Sequence, residues 1–286
     1  MLGVTAFWQG RLDAARAHFE AAVARCQPDD VRVHLQRYGQ DPRVICLSRL
    51  ANTLWFLGYP AEAERARDAA LSLAGEFGHP HSRGTALVFA TMLALELPDR
   101  ATLREYVAAL ALPQGAQSGK PFLVATQAFA GFLNVIDGRA ELGVSRIRAA
   151  LDEARDGQHA PGNRACIERV LVAALAEAND PHAGLAAADH ALQRGAGVRV
   201  FEAELRRARA EFLAILGEPK EEVEAEFGRA LAVARGQNAR ALELRVANSL
   251  LRRRTQRGDE ASVGEARALV TAIMATLPEP VSAAER

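Results

Sequence analysis

Glycine recurs at turn-like positions with spacings close to multiples of forty. Gly58 and Gly138 are 80 positions apart and Gly138 and Gly258 are 120 apart; Gly10 precedes Gly58 by 48, one period plus an insertion. Before Gly58, the residues Leu47, Leu50, Ala51 and Leu54 are spaced i, i+3, i+4, i+7, which is one face of a helix. Gly58 can leave that helix with positive φ, and Pro60 can open the next, where its missing N–H is not needed. A second apolar stripe follows in Ala63, Ala66, Ala70 and Leu71. The small Ala51 and Ala63 let two such helices approach closely. A hairpin of this kind cannot bury its faces alone and needs neighbours of its own kind. A period near forty is the sequence signature of a helical solenoid, so the expected fold is all-α, with about seven hairpins in one array.

Taken in order, residues 2 to 9 read as a helix whose upstream half is missing, with a partner helix over 11 to 26. Residues 27 to 42 are an insertion that holds a short helix around Val31 to Tyr38. The second hairpin spans Pro42 to Phe77. The third replaces the turn glycine with Pro98-Asp99, and the linker Leu112 to Gly119 follows it. The fourth hairpin turns at Gly138. The fifth turns at Asp180-Pro181 and is expected to lack about four residues there. The sixth turns at Gly217 and the seventh at Gly258. Residues 1–280 are expected to form a single repeat domain, and 281–286 a flexible tail beyond Pro278 and Pro280.

Gly10, Ala15, Phe19 and Ala22 resemble the second half of a tetratricopeptide repeat, and Leu47, Leu50, Ala51 and Leu54 resemble the first half. The segments Tyr38-Gly39-Gln40-Asp41-Pro42, Cys46-Leu47-Ser48 and Trp55-Phe56-Leu57-Gly58-Tyr59-Pro60 are more specific. They resemble the repeat region downstream of the ATPase module in bacterial adenylate/guanylate cyclases and related signalling ATPases. The repeat resemblance covers nearly the whole chain; the cyclase-type resemblance is concentrated in residues 2 to 95. It implies a right-handed superhelix that binds a protein or peptide partner and serves an ATPase, cyclase or kinase module in cis or in trans. The catalytic motifs of those multidomain proteins are absent from this sequence, so their activity does not carry over.

Composition narrows the alternatives. The 35 basic and 35 acidic residues cancel, which removes the bulk field that would draw nucleic acid or an anionic membrane. No apolar run reaches the length of about 18 residues that a membrane span needs. Met1-Leu2-Gly3-Val4 is not a signal peptide. Cys26, Cys46 and Cys166 are odd in number and widely spaced, so neither a metal pair nor a disulfide framework is implied, and a cytoplasmic location fits. His79-Pro80-His81 lacks the further ligands of a metal site. No Gly-rich phosphate loop, catalytic carboxylate pair or Cys/His nucleophile can be assembled, and no cofactor is expected. Arg252-Arg253-Arg254 with Arg257, and Arg206, Arg207 and Arg209, read as solvated faces with ion pairs, the latter helped by Glu202 and Glu211 at helical spacing.

Two surfaces remain as candidates. In a tetratricopeptide array the first helix of each hairpin lines a concave groove. Matching the repeat pattern places Ser48, Asn52 and Trp55 there from the second hairpin, Leu87 and Thr91 from the third, and Ala128, Phe132 and Val135 from the fourth. This mixed strip suits a peptide anchored by aromatics; the same spacing equally suits Trp55 and Phe132 as packing between hairpins. The second surface is the N-terminal edge, where Val4, Phe7, Trp8 and Leu12 have no preceding repeat and are expected to be exposed, favouring self-association. The functional expectation is a non-catalytic interaction module of a bacterial signalling protein. A small-molecule-sensing repeat domain and a pure assembly scaffold are the rivals.

Overall fold

The structure, a computed structural model, describes residues 2–26, 31–76, 78–97, 99–112, 120–154, 161–194, 197–258 and 260–279. Among these lie fifteen α-helices and no strand. Fourteen helices pair into seven hairpins: α1 (Leu2–Trp8) with α2 (Leu12–Arg25), α4 (Pro42–Leu57) with α5 (Pro60–Glu76), α6 (Pro80–Glu96) with α7 (Arg100–Ala111), α8 (Lys120–Ile136) with α9 (Ala140–Glu153), α10 (Pro161–Glu177) with α11 (Pro181–Arg194), α12 (Glu202–Leu216) with α13 (Lys220–Gly236), and α14 (Arg240–Arg257) with α15 (Glu260–Met274). The remaining helix, α3 (Val31–Tyr38), lies within the insertion, where the sequence places it. The expected tail, most of the 112–119 linker and residues 155–160 lie outside the described residues.

Most of the hairpin turns follow one chemistry. Gly10, Gly58, Gly138 and Gly258 all take the left-handed conformation, at φ +73°, +92°, +79° and +76°. At Gly58 the chain closes with a reciprocal pair of bonds: the Tyr59 N–H donates to the Leu54 carbonyl and the Gly58 N–H to the Trp55 carbonyl. These satisfy carbonyls that the last turn leaves free. The same pair recurs at Gly138 and at Gly217. The fifth turn is not shortened, contrary to expectation. Asn179 takes the left-handed position at φ +52°, and the gap between α10 and α11 matches that between α8 and α9. Asn is the non-glycine residue that enters this region with least strain, which hid the turn from a glycine count.

Each second helix sits against its own first helix and, where a hairpin follows, against the first helix of the next: α2 on α4, α5 on α6, α7 on α8, α9 on α10, α11 on α12 and α13 on α14. Small residues permit the closest of these approaches. In the fourth hairpin Gly131 of α8 faces Gly143 of α9 so closely that a Cβ on Gly131 would meet the Gly143 carbonyl oxygen at 2.8 Å.

First helices also pack on one another, α4 on α6, α6 on α8, α8 on α10, α10 on α12 and α12 on α14. The array does not stay open, because α14 packs back on α4. The closure is offset along the axis. Arg240, which begins α14, lies against Gly58, which ends α4, and the Arg245 guanidinium lies 4.9 Å over the Trp55 ring in the last turn of α4. The first helices of the second to seventh hairpins, six in all, thus form a ring with the step of a lock washer. The first hairpin is clasped to the two ends of the sixth, and the start of α5 to the segment that follows α15. The Trp8 carbonyl accepts from the N–H groups of Arg199 (2.6 Å) and Val200 (3.2 Å), Asn238 Nδ2 donates to the Asp13 carboxylate at 3.3 Å, and the Ala61 N–H donates to Glu279 at 2.7 Å. One apolar core runs from Ala6 to Leu242 through this ring.

Candidate functional site

The ring encloses a lumen with two unlike ends. One end is filled by aromatics. Phe7 and Trp8 of α1 enter it and meet Phe56 of α4, Phe89 of α6 and Phe201 at the start of α12, with ring centroids 6.3–6.5 Å apart. Gly162 at the start of α10 leaves room for the Trp8 indole; a Cβ there would run into the ring. The expectation of an exposed N-terminal edge is therefore overturned. Phe7 is fully buried, Leu12 is buried and Val4 and Trp8 are half-buried, all packed in the common core. The chain covers this edge itself, using residues about two hundred positions downstream. That removes the physical ground for self-association through residues 2 to 12.

The concave strip is also not a free surface. Ser48, Asn52, Trp55, Leu87, Thr91, Ala128, Phe132 and Val135 are all buried. Ser48 Oγ donates to the Val44 carbonyl and Thr91 Oγ1 to the Leu87 carbonyl, so both hydroxyls are spent on their own helices. Asn52 Nδ2 donates to the Ser48 carbonyl and, across to α6, to the Phe89 carbonyl at 3.0 Å. Trp55 is covered by Arg245. The physical reason is closure: a face that would be concave and open in an arc becomes an interior when the far side arrives. Of the eight residues, Phe132 lines a cavity described below.

The other end of the lumen is charged and open. A cavity of about 470 Å³ lies between α6, α8, α10, α12 and α14. Its apolar wall comes from Leu95, Phe132, Val172, Ala173 and Ala208; its polar wall comes from Arg169, Glu204, Arg207 and Arg245. A smaller cavity of about 260 Å³ shares Ala176, Arg207 and Ala208 with it and continues past Glu211 to Arg252 and Arg253.

The polar wall is a single ion-pair network. Glu96, at the end of α6, accepts from Arg169 Nη2 at 3.3 Å and from Arg245 Nη1 at 2.5 Å. Glu204, in the first turn of α12, lies 2.8 Å from Arg207 Nη2, 3.4 Å from Arg169 Nη2 and 3.6 Å from Arg245 Nη1. Glu211 carries Arg252 at 3.1 Å, Arg253, and Arg207 at 3.7 Å. Burial alone would raise the Glu204 pKa, but Arg207, Arg245 and Arg169 overcome it and hold the carboxyl far below the usual carboxylate range. Burial likewise opposes the charge on Arg245, and Glu204 with Glu96 outweighs it, so its pKa lies above the ordinary value. Every side chain here is fixed by a partner on another helix. The wall is therefore preorganised and presents the same donors to whatever enters.

These residues are missed by reading the sequence for solvated faces. Arg207 and Arg253, assigned to such faces, are largely buried and line the cavities. The signal that could have flagged the network is charge inside an apolar run, as in Ile167-Glu168-Arg169-Val170-Leu171 and Leu242-Glu243-Leu244-Arg245-Val246. Burial of such a charge demands a partner, although spacing along the chain does not say which. Among the described residues no group of His, Cys, Asp and Glu could hold a metal ion, and no helix is long and apolar enough to cross a membrane. His81 packs edge-on against Phe122, 5.0 Å between centroids, and its pKa is lowered by burial first and then by His79 and Arg49. Burial pushes the Cys166 thiol up to about 12, so it is protonated and unreactive at neutral pH. No family model matches the chain, and no curated protein sequence matches it either.

Proposed function

We propose that this chain is a non-catalytic, tetratricopeptide-like interaction module of a bacterial cytoplasmic signalling protein. It engages its partner or regulatory ligand at the charged mouth of the lumen. It then acts on an ATPase, cyclase or kinase module in cis or in trans, as the resemblance of residues 2 to 95 suggests. The observation that carries this reading is the cavity between five first helices, whose polar wall is held by interhelical ion pairs. A ligand there touches several hairpins at once, so its binding free energy couples to the relative placement of those hairpins. The mixed wall of fixed guanidinium groups and apolar side chains matches what a small binding pocket requires. A right-handed superhelix of about one turn accounts for the stepped closure of α14 on α4.

Ala176 lines both cavities and its methyl group belongs to no ion pair, so Ala176→Trp tests the reading. The variant should keep its circular dichroism and melting temperature while losing the partner or regulatory ligand that the wild type retains. Equal retention by a folded Ala176→Trp protein would move the binding site elsewhere.

A further inference from the structure

Resting on the lumen mouth as the binding site, we infer that its ligand is a small organic monocarboxylate with an apolar body, whose carboxylate is received by Arg169. The first ground is a donor without an acceptor. Arg169 is only 8 % exposed, yet its buried Nε–H has no hydrogen-bond partner. Its Nη2 already serves Glu96 and Glu204. Both glutamates are already engaged elsewhere, each by Arg245 and Glu204 by Arg207 twice, and neither accepts from the Arg169 Nε–H. A buried N–H without a partner destabilises the fold, and an acceptor supplied from the cavity removes that cost.

The second ground is charge. Arg169, Arg207 and Arg245 face the cavity, with Glu204 and Glu177; Glu96 stands behind them, and Arg100 holds Glu177 from outside. Four guanidinium groups meet three carboxylates, which leaves one positive charge. In the adjoining cavity Arg252 and Arg253 are balanced by Glu211 and Asp180. One uncompensated positive charge suits a monoanion. A phosphate dianion would overshoot it.

The third ground is the opposite wall. Leu95, Phe132, Val172, Ala173 and Ala208 offer an apolar face within the same 470 Å³, a volume in the range of small-molecule pockets, roughly 300–1,000 Å³. The carboxylate and the hydrocarbon or aryl body of one small acid are thus each provided for.

Calorimetric titration of the whole chain tests this with octanoate and 4-phenylbutyrate, their neutral amides, phenyl phosphate and inorganic phosphate. The acids should bind, and each amide at least about tenfold more weakly, as loss of a charge-assisted hydrogen bond requires. Arg169→Gln should weaken the acids by about tenfold or more. Should that variant fail to fold, Ala173→Phe decides, because it fills the apolar wall without touching an ion pair and should abolish acid binding. Acid and amide of equal affinity, undiminished binding to folded Ala173→Phe, phosphates that bind better than carboxylates, or no acid binding at millimolar concentration would each overturn the inference. If no acid binds but a partner retained by the wild type is lost in Ala176→Trp, the interaction-module reading stands and this inference alone fails.

Discussion

The two ends of the lumen solve the same problem in opposite ways. At the aromatic end, Phe7, Trp8, Phe56, Phe89 and Phe201 fill the space between helices with rings and need no polar partners beyond the Trp8 carbonyl. At the mouth, the space between helices is bridged by arginines and glutamates, and two cavities are left. Ring packing gains stability from apolar burial and fills volume. An ion-pair network gains little net stability over apolar packing, because desolvation offsets the Coulomb attraction. Its yield is geometry: charges fixed across several helices with space between them. Arg49 at the aromatic end makes the contrast sharp. Its guanidinium lies 4.3 Å over the Phe89 ring and donates to the Ile45 carbonyl at 3.4 Å, among the described residues no carboxylate pairs with it, and its pKa is lowered to about 10 by burial.

The largest effect should come from the filled end. Phe7→Ala opens a void among rings that cannot collapse onto it and should cost about 3–5 kcal/mol in chemical denaturation. A loss below about 1 kcal/mol would mean that the plug contributes little to closure.

Breaking the mouth comes next. Glu204→Gln leaves Arg207, Arg245 and Arg169 undercompensated and should cost about 3 kcal/mol. The sign of its pH dependence is fixed. The folded pKa lies below the unfolded value of about 4.3, so the carboxylate contributes stability above that pH and loses it as the pH falls toward the folded pKa. Wild type should therefore lose stability on acidification below about pH 4.3 more steeply than Glu204→Gln, and parallel curves would show that the network is not intact in solution.

Arg49→Met should go the other way. The folded-state pKa is depressed, so below pH 10 the folded protein bears the full cost of a desolvated cation, relieved only as the pH rises above that toward the ordinary arginine range. Replacing the cation with an apolar side chain of similar length should leave stability within about 1 kcal/mol of wild type or raise it. A large loss would reveal a partner for Arg49 in solution and erase the contrast between the two ends. The smallest effect belongs to the rim: Arg100→Ala removes a mostly exposed pair with Glu177 and should change stability by less than about 0.5 kcal/mol.

What the sequence made legible is what neighbours in the chain decide. Gly58 and Gly138 are forced by a left-handed turn a few residues long, and the helix over 31–38 by its own composition, so both can be read locally. Asn179 was harder, since Asn enters that conformation less often than Gly. Closure could not be read at all. Arg245 meets Glu96 across 149 positions and Asn238 meets Asp13 across 225, and no spacing rule connects residues so far apart. Trp8 looks exposed, and Trp55 accessible, only as long as Phe201 and Arg245 are not in view. Phe7 and Asn52 are covered nearer by, on Phe56 and Phe89, through packing between neighbouring hairpins.

The clasp between the first and sixth hairpins also sets an order of events during synthesis. An open solenoid can fold behind the ribosome, each hairpin docking on the one just made. Here Trp8 leaves the ribosome about 190 residues before its cover at Arg199, Val200 and Phe201, whereas Phe7 meets Phe56 and Phe89 sooner. At about 5–20 residues per second, the nascent chain holds the Trp8 ring incompletely covered for roughly 10–40 s. During that interval the first hairpin is a sticky surface, suited to a chaperone's grip.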